Sequence, residues 1–448
     1  MVFSMSDLEK LIKNKKAKIT VVGLGYVGIP VACMLAKSGF TVLGINRGQE
    51  KVDLINAGKS PIAGKEPGLE ELVKQAIKTK RLTATTEYSS MREADIVFVA
   101  VETPIDKADR VPKYEALRTA LKSVAKNLKK GALVIIESTI APGTMKNMVA
   151  PLLEKESGLK LGREFYLGHC PERVMVGKLL RNVENYHRVL GGWDEKTAKI
   201  MLALYKTYVK GDLDLVDVST AELVKTAENA YRDLEIAFAN NLALIAEKLG
   251  VNVYKVRELV NKVEDRNVHM PGAGVGGHCI PKDGLLQVAF LRGNKDSDSE
   301  MAVELVETVR KVNDYMPAHM YKLLQNSLKE AKIDSKKAKV AVLGYAFLAN
   351  SDDTRDTPTQ YFLDKLDGRF KSVEVQDPFV GRYKKSLDSA LSKADAAVFM
   401  VAHDQYKNLK LKELKRLMRT PILIDGRNIF DKEKVRRAGF IYKGVGNI

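Results

Sequence analysis

The chain has 448 residues, enough for two or three domains, because single hydrophobic cores seldom grow beyond about 300 residues. Its 73 Lys plus Arg exceed its 56 Asp plus Glu and give a net charge of +17, but these basic residues are spread along the chain and mixed with Glu, which favours a solvated surface over a nucleic-acid footprint. Its three cysteines, Cys33, Cys170 and Cys279, are too few and too scattered for a disulfide framework or a thiolate metal site.

The N-terminal segment, MVFSMSDLEKLIKNKKAK, is charged throughout and lacks the apolar core of a signal peptide. No later apolar run is long enough to span a bilayer. We therefore expect a cytoplasmic protein with no membrane partner and no bound metal. A nucleic-acid partner is the least favoured class, since no basic run is interleaved with aromatic residues.

The first predicted strand, 18–22, runs into a glycine-rich turn, and 29–37 has the apolar pattern of a helix. The turn reads GLGYVG and contains Gly23, Gly25, Tyr26, Val27 and Gly28. GxGxxG between a strand and a helix presents backbone N–H groups and a helix dipole to a pyrophosphate. The pattern predicts dinucleotide binding, against the alternative of a merely tight turn.

A second strand is predicted at 41–45, and it ends where an acidic residue usually binds the adenosine ribose. This chain has Asn46 and Arg47 there, with Lys51 shortly after. An amide does not repel a 2′-phosphate, and a guanidinium attracts one. NAD is the expected cofactor, and use of NADP as well is an open hypothesis.

Further strands are predicted at 95–101, 132–137 and 187–190, separated by helical segments such as 67–78 and 114–128. This alternation predicts a parallel, doubly wound sheet. Polar residues follow several of the strands, at the edge where such sheets bind ligands: Thr103, Pro104, Ser138, Thr139, His169, Glu172 and Arg173. Taken singly, each is also consistent with an ordinary turn or helix cap.

From about Ser219 the pattern becomes helical, with one long helix at 220–249 and further helices at 253–263 and 301–328. Lys225, Asn229 and Arg232 recur at i, i+4 and i+7 and so share one face of the long helix. A solvated stripe is the ordinary interpretation of such a face. In the functional interpretation, these side chains stabilise an oxyanion and bind a phosphorylated ligand.

The segment GAGVGGHCIPKD, residues 272–283, holds Cys279 in a glycine-rich loop with Lys282 and Asp283 directly behind it. Glycines let the backbone approach a ligand closely, and the two charged residues can poise a thiolate and move protons. We interpret Cys279 as a nucleophile. A buried structural cysteine is the alternative.

After the charged connector 329–339 the strand and helix alternation resumes, which predicts a second α/β domain. Arg355 and Arg427 follow predicted strands of this domain, and arginine forks suit phosphates, although surface ion pairing is the alternative. The predicted domains are therefore residues 1–215, 216–328 and 329–448.

Several motifs, in order and spacing, resemble the UDP-glucose/GDP-mannose dehydrogenase family over nearly the whole chain: GLGYVG, ESTIAPGT, HCPERV, ELVKTAENAYR, GVGGHCIPKD, GYAF with DDTRDTP, and DGRN. The resemblance implies α/β architecture, with two Rossmann-like doubly wound domains joined by a central α-helical dimerisation region. It also implies an N-terminal NAD-binding domain, a C-terminal UDP-binding domain, and a homodimer or higher homo-oligomer.

The family's chemistry implies oxidation of a sugar C6 alcohol to a carboxylate with two NAD in succession. By resemblance, Cys279 carries a thiohemiacetal and then a thioester. Other catalytic roles are implied for Lys225, Asn229, Asp283, Glu172 and Thr139. Arg355 is implied as a cofactor contact beside Thr103, Pro104, Thr139 and the glycine turn. The implied substrate contacts are Glu172, Arg173, Val174, Lys225, Asn229, Arg232, Arg266, Gly276, Phe347 and Arg427, with Arg266 reaching a neighbouring subunit.

The segment after His169 favours an N-acetylated UDP-hexosamine as the substrate. UDP-glucose and GDP-mannose members typically read NPEF there, whereas HCPERV followed by NYHRVLGG resembles the UDP-N-acetylmannosamine and UDP-N-acetylglucosamine 6-dehydrogenases. We favour the manno epimer and a role in polysaccharide biosynthesis, with the gluco epimer, UDP-glucose and GDP-mannose as alternatives. Leu348 stands where the family usually has Lys. A nucleotide-sugar binding protein without catalysis is the non-enzymatic alternative.

Overall fold

A computed structural model describes residues 5–62, 66–106 and 109–448 of the chain. The chain forms two compact units. The first extends to Glu228 and also includes Leu286–Phe290, and the second comprises Asn229–Leu285 and Leu291–Ile448. The division into three domains at 215/216 and 328/329 stays a prediction.

The sheet of the first unit has the strands β1 (Lys18–Val22), β2 (Thr41–Ile45), β3 (Leu82–Thr85), β4 (Ile96–Val99), β5 (Leu133–Ile136), β6 (Tyr166–His169), β7 (Arg188–Gly192) and β8 (Leu213–Asp217). Their spatial order is β3-β2-β1-β4-β5-β6-β7-β8, and the first six strands are parallel in the order of a Rossmann fold. The sheet differs from the all-parallel prediction at β7, which is antiparallel to β6. The connection between them contains only a seven-residue helix, shorter than the crossover that a parallel pair usually needs.

Helices cover both faces of this sheet: α1 (Met5–Lys13), α2 (Gly28–Lys37), α3 (Gln49–Asn56), α4 (Leu69–Lys78), α5 (Glu115–Lys126), α6 (Ala150–Ser157), α7 (Leu179–Asn185) and α8 (Glu195–Tyr205). Alternate residues of a strand point to opposite faces, so Ile96 and Phe98 of β4 join one core and Val97 and Val99 join the other. Two apolar cores therefore fix the sheet, and its carboxyl edge is left for ligands.

The helical middle consists of α9 (Val218–Leu249), α10 (Val253–Val260), α11 (Ile280–Gln287) and α12 (Ser297–Glu330). The predicted long helix is confirmed, since α9 is continuous over 32 residues. Although α9 and α12 each exceed 30 residues, no helix in the described part of the chain is apolar enough over a sufficient length to cross a membrane.

The second unit has a parallel sheet in the order β10-β9-β11-β12-β13. Its strands are β9 (Lys339–Leu343), β10 (Ser372–Gln376), β11 (Ala396–Phe399), β12 (Ile422–Asp425) and β13 (Ile441–Gly444), and its helices are α13 (Pro358–Leu366), α14 (Leu387–Leu391), α15 (Asp404–Lys407), α16 (Leu411–Leu417) and α17 (Lys432–Arg437). The predicted second α/β region is confirmed. The GYAF and DGRN motifs follow β9 and β12, at the carboxyl edge of this sheet.

The turn between β1 and α2 depends on two glycines that pack against each other. A Cβ added at Gly28 would lie 1.9 Å from the carbonyl oxygen of Gly23, and Gly23 itself has a φ of +92° that other residues rarely adopt. At Gly25, by contrast, an added Cβ would meet nothing within 4 Å. The turn is tight where β1 meets α2 and open at Gly25, the side a pyrophosphate would approach.

We expect Gly28→Ala to destabilise the protein by about 1–3 kcal/mol, because the backbone must move to accept the methyl group. Gly25→Ala is the matched control: it should leave the free energy of unfolding within about 0.5 kcal/mol and weaken NAD binding by crowding the pyrophosphate. Urea unfolding and NAD titration measure the two effects. Equal stability of the two variants would contradict this account of the turn.

Candidate active site

The candidate cofactor edge lies where β1, β2, β4 and β5 end. The N–H of Leu24 donates to Oδ1 of Asn46 over 3.3 Å, and Nδ2 of Asn46 donates to the carbonyl oxygen of Gly48 over 3.4 Å. These bonds hold Asn46 beside the glycine turn. With space above Gly25, this edge fits a dinucleotide whose pyrophosphate lies on the start of α2.

Two cationic side chains stand exposed at the same edge. Arg47 forms an ion pair with Glu102, with 3.3 Å between Nη2 and Oε1, and Lys51 lies on α3. An exposed pair of this kind contributes little to stability, so Arg47 can exchange Glu102 for a ligand phosphate at small cost. Asn46, Arg47 and Lys51, which follow β2, stay predicted cofactor contacts.

The ends of β4 and β5 are joined by side-chain hydrogen bonds. Oγ1 of Thr103 donates to the carbonyl oxygen of Thr139 over 2.6 Å, and Oγ of Ser138 donates to that of Val101 over 2.6 Å. The structure thus brings together Thr103 and Thr139, which the sequence could only assign to strand ends. Pro104 follows at the same edge.

Glu222 anchors the start of α9 to the turn after β5, and the sequence analysis missed it. Its two carboxylate oxygens accept the N–H groups of Gly143 (2.8 Å) and Met145 (2.7 Å). Burial raises the pKa of Glu222 to about 7, against the opposite effect of these two bonds. Lys225, one turn further along α9, is 8% exposed. The one available signal was an acidic residue near the start of the predicted helix 220–249.

The residues after β6 are held by charge pairs within the first unit. Arg173 pairs with Glu228, with Nε and Oε2 3.0 Å apart. Glu172 points inward: its Oε1 accepts the N–H of Arg173 over 3.0 Å, and its Oε2 accepts from Nη1 of Arg188. Val174 packs at the edge of the first core. The Glu172 side chain is only 1% exposed.

The exposed Cys279 immediately precedes α11 in the second unit. Its carbonyl oxygen accepts the N–H groups of Lys282 (3.1 Å) and Asp283 (3.0 Å), which starts the helix. Oδ2 of the buried Asp283 accepts from Nδ2 of Asn229 over 2.6 Å, and its Oδ1 accepts from Nζ of Lys282 over 2.7 Å. Asn229 and Asp283 are therefore brought together directly behind Cys279.

A buried polar network holds the start of the cysteine loop. The N–H of Gly272 donates to Oδ1 of Asn240 (2.8 Å), and Nδ2 of Asn240 donates to Oδ1 of Asn313 (2.9 Å). Asn313 in turn donates to Asp233 over 2.7 Å, and Asp233 is paired with Arg310, also over 2.7 Å. All four side chains are nearly inaccessible to solvent. This network joins α9, α12 and the loop.

The other side of the loop contacts the motifs of the second sheet. The N–H of Gly277 donates to the carbonyl oxygen of Arg355 over 3.0 Å, and Nη2 of Arg427 donates to that of Gly274 over 3.2 Å. A Cβ added at Gly276 would lie 2.7 Å from Cβ of Phe347. The predicted substrate residues Gly276, Phe347 and Arg427 thus lie together with Arg355, which the resemblance implied as a cofactor contact.

The segment around Phe347 is fixed by a buried pair that the sequence analysis missed. Oδ2 of Asp377 accepts the N–H groups of Tyr345 (2.6 Å) and Ala346 (2.9 Å), and lies 3.1 Å from Nε2 of His403. Nδ1 of His403 accepts the N–H of Asn350 over 2.9 Å. His403 must therefore carry its proton on Nε2 and donate it to Asp377.

Two predicted substrate residues lie on the surface of the second unit. Arg232 is paired with Glu235 over 3.5 Å and its side chain is 47% exposed, and Arg266 is also exposed. Leu348, at the position where a lysine was expected, is exposed. Over the described residues, no group of His, Cys, Asp and Glu has an arrangement that could hold a metal ion.

Comparison with known proteins covers most of the chain. Three domain models of the UDP-glucose/GDP-mannose dehydrogenase family match: the NAD binding domain at residues 17–209, the central domain at 219–315 and the UDP binding domain at 341–432. A UDP-N-acetyl-D-mannosamine dehydrogenase of Pyrococcus horikoshii is 38% identical over 429 residues, which cover 96% of this chain and 99% of that protein.

Two solved structures are similar over the same extent. The UDP-D-ManNAc dehydrogenase of Pyrococcus horikoshii has a TM-score of 0.89 at 38% identity, covering 96% of this chain and 99% of that one. An NDP-N-acetyl-D-galactosaminuronic acid dehydrogenase from Methanosarcina mazei has a TM-score of 0.87 at 41% identity, covering 99% and 98%.

Stability should fall in acid as Asp377 is protonated. Burial alone would raise its pKa, but the hydrogen bonds from His403 and from backbone N–H groups outweigh burial and lower the pKa to about 2. The unfolded value is about 3.9, so this carboxylate contributes about 2 kcal/mol that is fully present above about pH 4 and is lost as the pH falls towards 2.

Urea unfolding of the wild type and of Asp377→Asn, at about pH 5 and about pH 2.5, measures this contribution. At about pH 5 the variant should be less stable than the wild type. Between about pH 5 and about pH 2.5 its free energy of unfolding should fall by about 2 kcal/mol less than that of the wild type. Asp388→Asn, at an exposed position on α14, is the control and should follow the wild type. An identical acid dependence of all three proteins would contradict the assignment.

Proposed function

The chain belongs to the UDP-glucose/GDP-mannose dehydrogenase family, and we propose that it oxidises the C6 alcohol of UDP-N-acetyl-D-mannosamine to the carboxylate. The observation that carries the proposal is Cys279: it is exposed, it precedes the N-terminus of α11, and Asp283 behind it is fixed by Asn229 and Lys282. A nucleophile needs this kind of presentation. The relatives named UDP-N-acetyl-D-mannosamine dehydrogenase support the choice of donor.

The NAD-binding domain gives this chain its oxidant, and NAD, when bound, accepts one hydride in each of two oxidations. In the first, the C6 alcohol loses a hydride and a proton and becomes an aldehyde. Lys225 and Asn229 would stabilise the developing oxyanion, since an amine and an amide one helical turn apart can meet the same atom. Water held by Asp283 would take the proton.

In the second oxidation, the thiolate of Cys279 adds to the aldehyde carbon, and a carbon–sulfur bond forms as the carbonyl oxygen becomes an alkoxide. Loss of a hydride from this thiohemiacetal gives a thioester. Water then adds to the thioester, the carbon–sulfur bond breaks, and the products are the uronate and the thiolate. Thr139 would help to orient this water, and the Glu172 carboxylate would accept its proton.

The choice between NAD and NADP is proposed to depend on the end of β2. Asn46, bound to the glycine turn, has no charge with which to repel a 2′-phosphate, and Arg47 is held only by an exposed ion pair. We infer that the protein uses NAD and accepts NADP as well. The UDP moiety is assigned to Phe347 and Arg427 of the UDP binding domain, and Arg173, Val174, Arg232 and Arg266 stay proposed sugar or phosphate contacts.

A homodimer is proposed from an apolar stripe on α9. Tyr231, Leu234, Phe238, Ile245 and Leu249 are exposed at spacings of three, four and seven residues, and Tyr231 is 64% exposed. Exposed apolar residues along one helix face are typical of an interface between subunits. Sedimentation at the mass of one chain at micromolar concentration would contradict this proposal.

Replacing the nucleophile should stop acid formation. We expect Cys279→Ser to lower uronate formation on the order of 10³-fold or more, because a hydroxyl at this position lacks a base strong enough to make it attack. Mass spectrometry of the products measures the uronate and any aldehyde that accumulates. Cys33→Ala is the control: Cys33 is buried, with a pKa that burial raises to about 12, and its loss should leave turnover nearly unchanged. Normal acid formation by Cys279→Ser would refute the covalent route.

A donor panel tests the substrate. The purified protein, with NAD and separately with NADP, is offered UDP-N-acetylmannosamine, UDP-N-acetylglucosamine, UDP-N-acetylgalactosamine, UDP-glucose and GDP-mannose. We expect two reduced cofactors per uronate with the manno donor and kcat/KM at least about tenfold lower with the others. The galacto donor is the second candidate, since the Methanosarcina mazei enzyme is 41% identical. Tight binding of a donor without any reduced cofactor would favour a binding protein.

A further inference from the structure

Among the described residues, Arg188 is the largest side chain that is fully buried, and none of the reaction steps above uses it. It opens β7 as part of NYHRVLGG, next to the strand end that carries HCPERV. Nη1 donates to Oε2 of Glu172, and Nη2 donates to the carbonyl oxygen of Val183 over 2.8 Å. The ion pair is 0% exposed on the arginine and 1% on the glutamate. The two motifs are therefore joined by one buried charge pair.

A buried ion pair is costly to form and costlier to break. Removing one partner leaves the other as an unpaired charge in the protein interior, and this costs several kcal/mol or forces the charge to be neutralised. The Glu172 carboxylate is thus buried with Arg188 as its facing cation. Its second oxygen accepts the N–H of Arg173, so two fixed donors also determine the plane of the carboxylate.

The other titratable groups facing the guanidinium do not replace this pair. Burial raises the pKa of Cys170 to about 11 and raises that of Tyr208, so both are neutral at neutral pH. Glu137, at the end of β5, accepts a hydrogen bond from Tyr205 over 3.0 Å, and burial raises its pKa to about 7 despite the attraction of Arg188. Glu172 is the carboxylate that Arg188 binds directly.

We propose that Arg188 is a positioning residue, which holds the Glu172 carboxylate charged and fixed in plane so that it can orient water and accept a proton. This inference rests on the proposed function of Glu172. A general base acts only when it is deprotonated and correctly directed. Arg188 supplies both conditions without touching the substrate. Because Glu172 belongs to HCPERV and Arg188 to NYHRVLGG, this requirement explains why the two motifs occur together.

A double-mutant cycle tests the proposal. We expect Arg188→Lys, which keeps the charge but loses the planar fork, to lower kcat about tenfold and Glu172→Gln to lower it about 100-fold, within the range for general-base catalysis. In the Glu172→Gln background, Arg188→Lys should change kcat less than about twofold, because it acts through Glu172. In Arg188→Lys, KM for the donor and Kd for NAD should stay within about twofold. Losses that multiply would show a general structural role and overturn the proposal.

Arg188→Met gives a second readout that needs no turnover. Without its cation, Glu172 should become protonated, so infrared difference spectra of Arg188→Met should show a new carboxylic acid band. This band should be absent from Arg188→Met/Glu172→Gln and should persist in Arg188→Met/Glu137→Gln. The acid limb of kcat should move to higher pH. If this variant does not fold, the Arg188→Lys cycle decides. Absence of the acid band in the folded Arg188→Met variant would overturn the proposal, even if the donor panel shows uronate formation. If the band is present but the donor panel shows no uronate, only the catalytic role is refuted.

Discussion

A buried carboxylate with a donor for each oxygen is the interaction on which this candidate site depends. Asp283, Glu222 and Asp377 each hold one functional segment in this way: the start of α11, the turn after β5 and the GYAF segment, where the N–H of Phe379 serves the second oxygen of Asp377. Breaking such a pair leaves an unsatisfied charge in the interior, which costs several kcal/mol. Each segment is therefore fixed before any ligand binds, as preorganised catalysis requires.

Much of this arrangement could be predicted because its signals are local. The alternation of strand and helix patterns predicted both sheets, and GxGxxG between β1 and α2 predicted the cofactor edge. Asn229 was predicted from its spacing on one helix face, and the structure adds its partner, Asp283, only four residues after the nucleophile. In each case the pattern lies within a few tens of residues, and over that length backbone geometry restricts the local structures that the segment can form.

The pairs that the sequence did not predict are tertiary. Glu222 binds backbone N–H groups more than 70 residues away in the chain. Asp377, after β10, binds His403, which follows β11. A lone acidic residue in a sequence looks the same whether it is solvated or buried, since only the fold decides which donors surround it. The direction of β7 was missed for a related reason: strand patterns indicate burial but not whether neighbouring strands run parallel.

Glu137 follows β5 and Glu172 follows β6, and the two carboxylates differ in their surroundings rather than in residue type. Glu172 receives two charge-stabilising donors, Arg188 and a backbone N–H. Glu137 has one donor, Tyr205, and its other oxygen has no hydrogen-bond partner among the described residues, so burial raises its pKa to about 7. Arg188 thus acts on both acids, through a hydrogen bond to Glu172 and through charge attraction on Glu137. Arg188 attracts the Glu137 carboxylate as well, but this attraction does not outweigh burial, and Glu172 is the acid that receives a hydrogen bond from the guanidinium.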